Sequence, residues 1–251
     1  MKIGIIGAGQ IGGTLTRRFR ALGHEVFVAN SRGPETLSDL AAETGATAVS
    51  VPEAVRGVDL IVVTVPEKNI PSLPAGLFAD VPDHVVVVDT GNYYPRQRDG
   101  HIEAIEAGLP ESQCVARQLG RPMIKAFNNI YARDLLELGR PKGTPGRIAL
   151  PVAGDDAAAK DIVLELVDEL GFDGVDAGGL DESWRQQPGH ASLYQGLRRR
   201  RCAACSVRGQ QRPYSGMAWP PRIAPVVSAR RLEQIVIYYP WSGDLLTTRT
   251  G

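Results

Sequence analysis

The residues of this chain whose types and spacing could hold a phosphorylated ligand are the run Gly7-Ala8-Gly9-Gln10-Ile11-Gly12 and the polar triplet Asn30-Ser31-Arg32. Gly7 permits a tight turn, Gly9 lets the backbone approach a diphosphate with no Cβ in the way, and Gly12 lets a helix sit close on a sheet. A diphosphate placed there meets the free N–H groups of a helix start, where the helix dipole favours negative charge. The triplet decides which dinucleotide fits. An acidic residue about 20 positions after the glycine turn would bind the ribose hydroxyls of NAD, and this chain has none there. It offers a hydroxyl and a guanidinium instead, which can hydrogen-bond a 2′-phosphate with charge assistance. These residues read as a seat for NADP(H) rather than NAD(H); the plainer alternative is that Arg32 is a solvated arginine after a strand.

The elements that must position such a seat are legible around it. Residues 2–6 read as a strand feeding the glycine turn, an amphipathic segment follows as a helix, and residues 26–29 read as the second strand. Residues 34–44 read as a helix opening at Pro34 and closing at Gly45. Apolar runs at 59–65 and 85–89, bounded by glycine and proline, read as strands buried on both faces. Further strands are expected at 47–49, 123–127, 148–153 and 174–176, with helices at 102–107, 132–138 and 155–170; the last is capped by Asp155 or Asp156 and stopped by Gly171. Strands alternating with helices across short glycine turns give an α/β fold, a Rossmann doubly wound parallel sheet with a small C-terminal extension.

In such a sheet the ligand lies over the carboxyl ends of the strands, so the residues just after each strand matter most. Val65 and Pro66 would wall the ribose and nicotinamide, or simply end a strand at a proline. Asn128 and Asn129 could hydrogen-bond a carboxamide or a substrate carbonyl, or form an ordinary turn. Tyr93 and Tyr94 could stack on a flat ring, although paired aromatics in a loop more often pack. No Ser-Tyr-Lys constellation and no metal-binding pattern is present, and His24 occupies a packing position. No catalytic residue and no metal site can be named. Direct hydride transfer between two redox cofactors, which needs no protein acid, suits this inventory best.

Composition is that of a soluble globular protein: 251 residues, 43% hydrophobic, 22% charged and formally neutral. The first apolar run is too short for a signal peptide and no window approaches a membrane span, so the cytoplasm is the expected location. The neutral total hides an asymmetry. Residues 1–187 carry 18 Lys+Arg against 26 Asp+Glu, a balance of −8, while residues 188–251 carry 10 against 2, or +8, with all ten cations arginine. Cys202 and Cys205 supply only two ligands, short of a zinc site.

The glycine turn, Asn30-Ser31-Arg32, Lys125-Ala126-Phe127-Asn128-Asn129, Val152-Ala153-Gly154-Asp155-Asp156 and Val175-Asp176-Ala177-Gly178 together resemble the NADPH-dependent coenzyme F420 reductase family over residues 1 to about 188. The resemblance implies hydride exchange between NADP(H) and a flat acceptor such as coenzyme F420 or a flavin. By position, Ala8 to Gly12 would hold the pyrophosphate and Ser31 and Arg32 the 2′-phosphate. Val65 and Pro66 would lie at the ribose side, and Ala153 and Gly154 at the nicotinamide end. Thr36 falls where the family can place a lysine on the phosphate. The partner expected is a small redox acceptor, with no nucleic acid and no membrane, and a homodimer is left open. Two other readings stand beside this one: a non-catalytic NADP(H) sensor, and a reductase of a small carbonyl or imine, for which the chain lacks the usual long helical domain.

Residues 188–251 fit neither the composition nor the periodicity of what precedes them. They include Arg198-Arg199-Arg200-Arg201 and a Pro220-Pro221 pair. One reading is an added basic arm; the other is translation in a shifted frame from about residue 190. With synonymous codons chosen for it, the frame one nucleotide later encodes a charged, alanine-rich helix of the kind that members of the family carry after Gln-Pro-Gly. On that reading the segment is expected to pack little against residues 1–187.

Overall fold

The computed structural model describes residues 1–188. Six strands, β1 (Lys2–Ile6), β2 (Glu25–Ala29), β3 (Thr47–Ala48), β4 (Leu60–Val63), β5 (Val86–Asp89) and β6 (Ile124–Lys125), form one parallel sheet in the order β3-β2-β1-β4-β5-β6. This is the doubly wound arrangement expected, with the strand order reversing between β1 and β4, where such folds open a ligand crevice. The side chains alternate in and out of the two faces. Ile3 and Ile5, Leu60 and Val62, and Val86 and Val88 belong to one apolar cluster, and Ile6, Ile61, Val63 and Val87 to the other. Burial on both faces is why these strands read as unbroken apolar runs.

Helix α1 (Gln10–Ala21) packs Leu15 and Phe19 into the first cluster. The segment expected as one helix from Pro34 divides into a 3₁₀ turn, Pro34–Leu37, and α2 (Ser38–Thr44), which stops at Gly45 with φ 71°. Short helices α3 (Glu103–Glu106) and α5 (Ala132–Glu137) fall where the sequence places them. Between them lies α4 (Glu111–Leu119), which the sequence reading did not identify. Its first turn is polar, with Glu111 and Ser112 both buried, so it lacks an apolar start.

The C-terminal extension is β7 (Ala149–Val152), α6 (Ala157–Glu169) and β8 (Asp173–Asp176), a parallel pair joined by its helix. Asp156 is the residue that caps α6, its Oδ1 accepting the Ala159 N–H at 3.0 Å, while Asp155 Oδ1 accepts the Leu180 N–H at 2.8 Å. Val163, Leu166, Val167 and Leu170 are buried as the amphipathic pattern requires. An antiparallel bridge between Lys125 and Ala153 ties this pair to β6. The expectations for the arginine cluster and the shifted frame lie outside the described residues. Among the described residues no helix is long and apolar enough to cross a membrane.

Candidate functional site

The glycine turn is built by contacts that leave no room for side chains. Gly7 adopts φ 106°, and its N–H donates to Ala29 O at 2.8 Å. A Cβ on Gly12 would strike the Gly7 carbonyl, so Gly12 is what lets α1 begin this close to β1. Gly9 differs from both. It is exposed, and a Cβ there would meet nothing within 4 Å. As the N-cap of α1, Gly9 has no side chain to cap with, and no acidic residue occupies the first turn. The leading N–H groups of α1 therefore face an open cradle, the arrangement that accepts an anion.

The loop after β2 is preorganised beside it. Asn30 Oδ1 accepts the Arg32 N–H at 2.8 Å, Asn30 Nδ2 donates to Thr36 Oγ1 at 2.8 Å, and Thr36 Oγ1 donates to Gly33 O at 2.8 Å. Asn30 and Thr36 thus shape the loop through their side chains. The Ser31 and Arg32 side chains are exposed, and the Arg32 guanidinium makes no hydrogen bond or ion pair among the described residues. A cleft of about 520 Å³ brings Ala8, Gly9 and Gln10 together with Arg32 and Thr36, and is lined as well by Leu37, Leu40 and residues of α5. A second cleft of about 340 Å³ lies across the same loop, between Asn30, Ser31 and Gly33 on one side and Ser50, Val51, Ser72, Leu73 and Pro74 on the other. These last five were not singled out in the sequence. They come from connections whose approach to the β2 loop only the fold creates.

Val65 stands beside the glycine turn, its Cγ1 3.1 Å from where a Gly7 Cβ would lie, and Val65 and Pro66 are both half-buried. Ile11 is half-buried on α1 and packs against the first apolar cluster. Asn128 is 9% exposed; its Nδ2 donates to Asn92 Oδ1 at 3.1 Å and to Gln186 O at 2.7 Å, and its Oδ1 has no partner. Its donor is thus committed and its acceptor is left over. Ala153 and Gly154 are buried with both N–H groups engaged, to Lys125 O and Gly178 O respectively, so they shape the junction of β6 and β7 from within. Tyr93 packs: it is 8% exposed, and its hydroxyl lies 2.8 Å from Glu106 Oε1 and accepts the Ile102 N–H at 2.9 Å. Tyr94 is half-buried under the Arg98 guanidinium, 5.3 Å from its ring centre. His24 is a packing residue, edge-on to Phe19 and 3.1 Å from Glu169.

Beneath the ends of β4, β5 and β6 lies a group that sequence reasoning missed. Lys125 is fully buried, its Nζ 3.0 Å from Asp89 Oδ2 and donating to Gly91 O at 2.6 Å. Ser112 Oγ donates to the same Asp89 oxygen at 2.5 Å, and Glu111 and Glu67 complete the group at 2% and 3% exposure. The signal was Lys125 inside an apolar strand run, where neighbours on both sides dictate burial. Among the described residues there is no group of His, Cys, Asp and Glu side chains suited to a metal.

Residues 2–93 match the family model described as NADP oxidoreductase, coenzyme F420-dependent. The F420-dependent NADP reductase of Methanothermobacter thermautotrophicus is 29% identical over 198 residues, covering 73% of this chain and 83% of that protein. Protein YjhV of Escherichia coli K12 is 52% identical over 48 residues, but this match spans only 35% of its length. Among solved structures, protein SMa0349 of Sinorhizobium meliloti is 33% identical with a TM-score of 0.64, covering 75% of this chain and 91% of that one.

Proposed function

The chain belongs to the family of coenzyme F420-dependent NADP oxidoreductases, and from that premise we propose that it binds NADP(H) in the cleft beside the glycine turn and exchanges hydride with a flat acceptor, coenzyme F420 or a flavin. The observation that carries the reading is the uncapped start of α1 facing the same 520 Å³ cleft as the Arg32 side chain. The N–H groups after Gly9 receive the diphosphate, and Ser31 and Arg32 receive the 2′-phosphate. The slot between Ser31 and the Ser72-Leu73-Pro74 segment takes the adenine. Thr36 contributes by fixing the loop, since both sides of its hydroxyl are engaged within it.

Bound NADPH supplies a hydride, and the acceptor takes that hydride together with a proton from solvent. The protein's part is positioning: Val65 and Pro66 wall the nicotinamide side, and Asn128 holds the neighbouring loop in place through its Nδ2 bonds to Asn92 and Gln186. No side chain is asked to act as acid. Incubating the protein with reduced F420 and NADP⁺ tests the reading: the deazaflavin absorbance should return as NADPH forms. Tight NADPH binding with no turnover against F420, flavins or ferric chelates would support a nucleotide sensor instead.

A further inference from the structure

The ionisable group under the strand ends is not used by the nucleotide seat, yet it adjoins it. Glu67 directly follows Pro66, and its Oε1 has no hydrogen-bond partner. Its carboxyl lies against the Gly91 backbone, where any Cβ would strike Oε1, so Gly91 makes the room it occupies. Glu111 accepts the Tyr93 N–H at 3.0 Å through Oε1, while its Oε2 has no hydrogen bond and is ion-paired with Lys125 Nζ at 3.7 Å. The groups facing Glu67 are Asp89 on β5, Lys125 on β6, Glu111 on α4 and Asp99, which is paired to Arg98; Cys114 of α4 is also within electrostatic reach.

One buried ammonium cannot compensate three buried carboxylates at once, so Glu67 and Glu111 keep their protons beyond the usual carboxylate range. Burial, and then Asp89, push Glu67 up to about 9, against the pull of Lys125. Burial raises Glu111 to about 7. Lys125 stays charged despite its burial because Asp89, Glu111 and Glu67 surround it. The number of negative charges under the strand ends therefore rises as the solution passes from mildly acidic to mildly alkaline.

We infer that this cluster, with Glu67 as its variable member, sets the relative affinity of the cleft for oxidised and reduced nicotinamide nucleotide. The inference rests on the proposed placement of the nicotinamide at the carboxyl ends of β4 and β5. The oxidised ring carries one positive charge more than the reduced ring. A negative charge in the weakly screened interior beneath it attracts the oxidised form and leaves the neutral ring almost untouched. The 2′-phosphate is common to both forms and cancels in the comparison. By linkage, binding of the oxidised nucleotide lowers the hold of Glu67 on its proton and releases part of it, whereas binding of the reduced nucleotide does not.

Calorimetric titration of the full chain with NADP⁺ and with NADPH across pH 6 to 9, in buffers of different ionisation enthalpy, tests this. The ratio of the NADPH to the NADP⁺ dissociation constant should rise roughly fivefold or more over that span. NADP⁺ should also release more protons than NADPH toward alkaline pH. Glu67→Gln, which keeps the shape of the protonated acid, should flatten the upper part of the rise, and Glu111→Gln the lower part. A wild-type ratio that does not move with pH, or a Glu67→Gln profile superimposable on it while both nucleotides bind, would overturn the inference and leave the nucleotide seat intact. Failure of either nucleotide to bind would overturn the seat, and the inference with it.

Discussion

Asp89 and Lys125 are register partners on neighbouring parallel strands, and Lys125 Nζ stands 3.0 Å from Asp89 Oδ2 with neither side chain more than 2% exposed. Asp89 Oδ1 also accepts the Gly91 N–H at 2.8 Å, and Lys125 donates to Gly91 O, so this one pair fixes where β5 ends and how its loop departs. Removing one partner strands the other charge in the interior. Lys125→Met is therefore expected to destabilise the fold by about 3–5 kcal/mol. Urea denaturation at neutral pH measures it, and a loss within experimental error would mean that the pair holds nothing in place.

The same cluster gives the stability a pH dependence of definite sign. Glu67 and Glu111 hold protons more tightly when folded than the ordinary value of 4.5 for a free glutamate, at about 9 and about 7. Their contribution is complete below about pH 4.5 and is lost as the pH rises through 7 and then 9. Denaturation free energies taken from about pH 5 to 9 should fall with pH, and in Glu67→Gln the alkaline part of that fall should be shallower. Identical slopes in the two proteins would refute the assignment.

Two glycines of the same turn should behave differently. Gly9→Ala adds a methyl group to open space, so the unfolding midpoint should barely move while NADPH binding weakens, because the methyl intrudes where the diphosphate must approach. Gly12→Ala drives its Cβ into the Gly7 carbonyl and should cost stability and binding together. Thermal melts beside nucleotide titrations separate the cases. Full binding by Gly9→Ala would remove the diphosphate from this loop.

What the sequence discloses follows from what each residue type signals. Ile3, Ile5, Val62, Val63, Val86 and Val88 announce buried strands because nothing else tolerates such runs, and Gly7 to Gly12 with Arg32 suggest the proposed seat because their spacing is local. Glu67, Glu111 and Asp89 announce nothing, since carboxylates ordinarily face water. Only the sheet order that sets β4, β5 and β6 side by side converts them into one group. Helix α4 was missed for a related reason: its first turn buries Glu111 and Ser112 against polar partners. Thr36 was expected at the phosphate from its position, but the tie from Asn30 that engages its hydroxyl within the loop was not legible.

Titration of NADPH and NADH against the wild type and Arg32→Ala measures most directly whether the loop Asn30-Ser31-Arg32 beside the glycine turn is a seat for a 2′-phosphorylated nucleotide. The wild type should bind NADPH the more tightly, and Arg32→Ala should lose most of the difference, about 1.5–3 kcal/mol for a charge-assisted contact. Ser31→Asp, which sets a carboxylate where the phosphate would lie, should turn the preference toward NADH. Equal affinity of the wild type for the two nucleotides, or an unchanged preference in Arg32→Ala, would contradict the account.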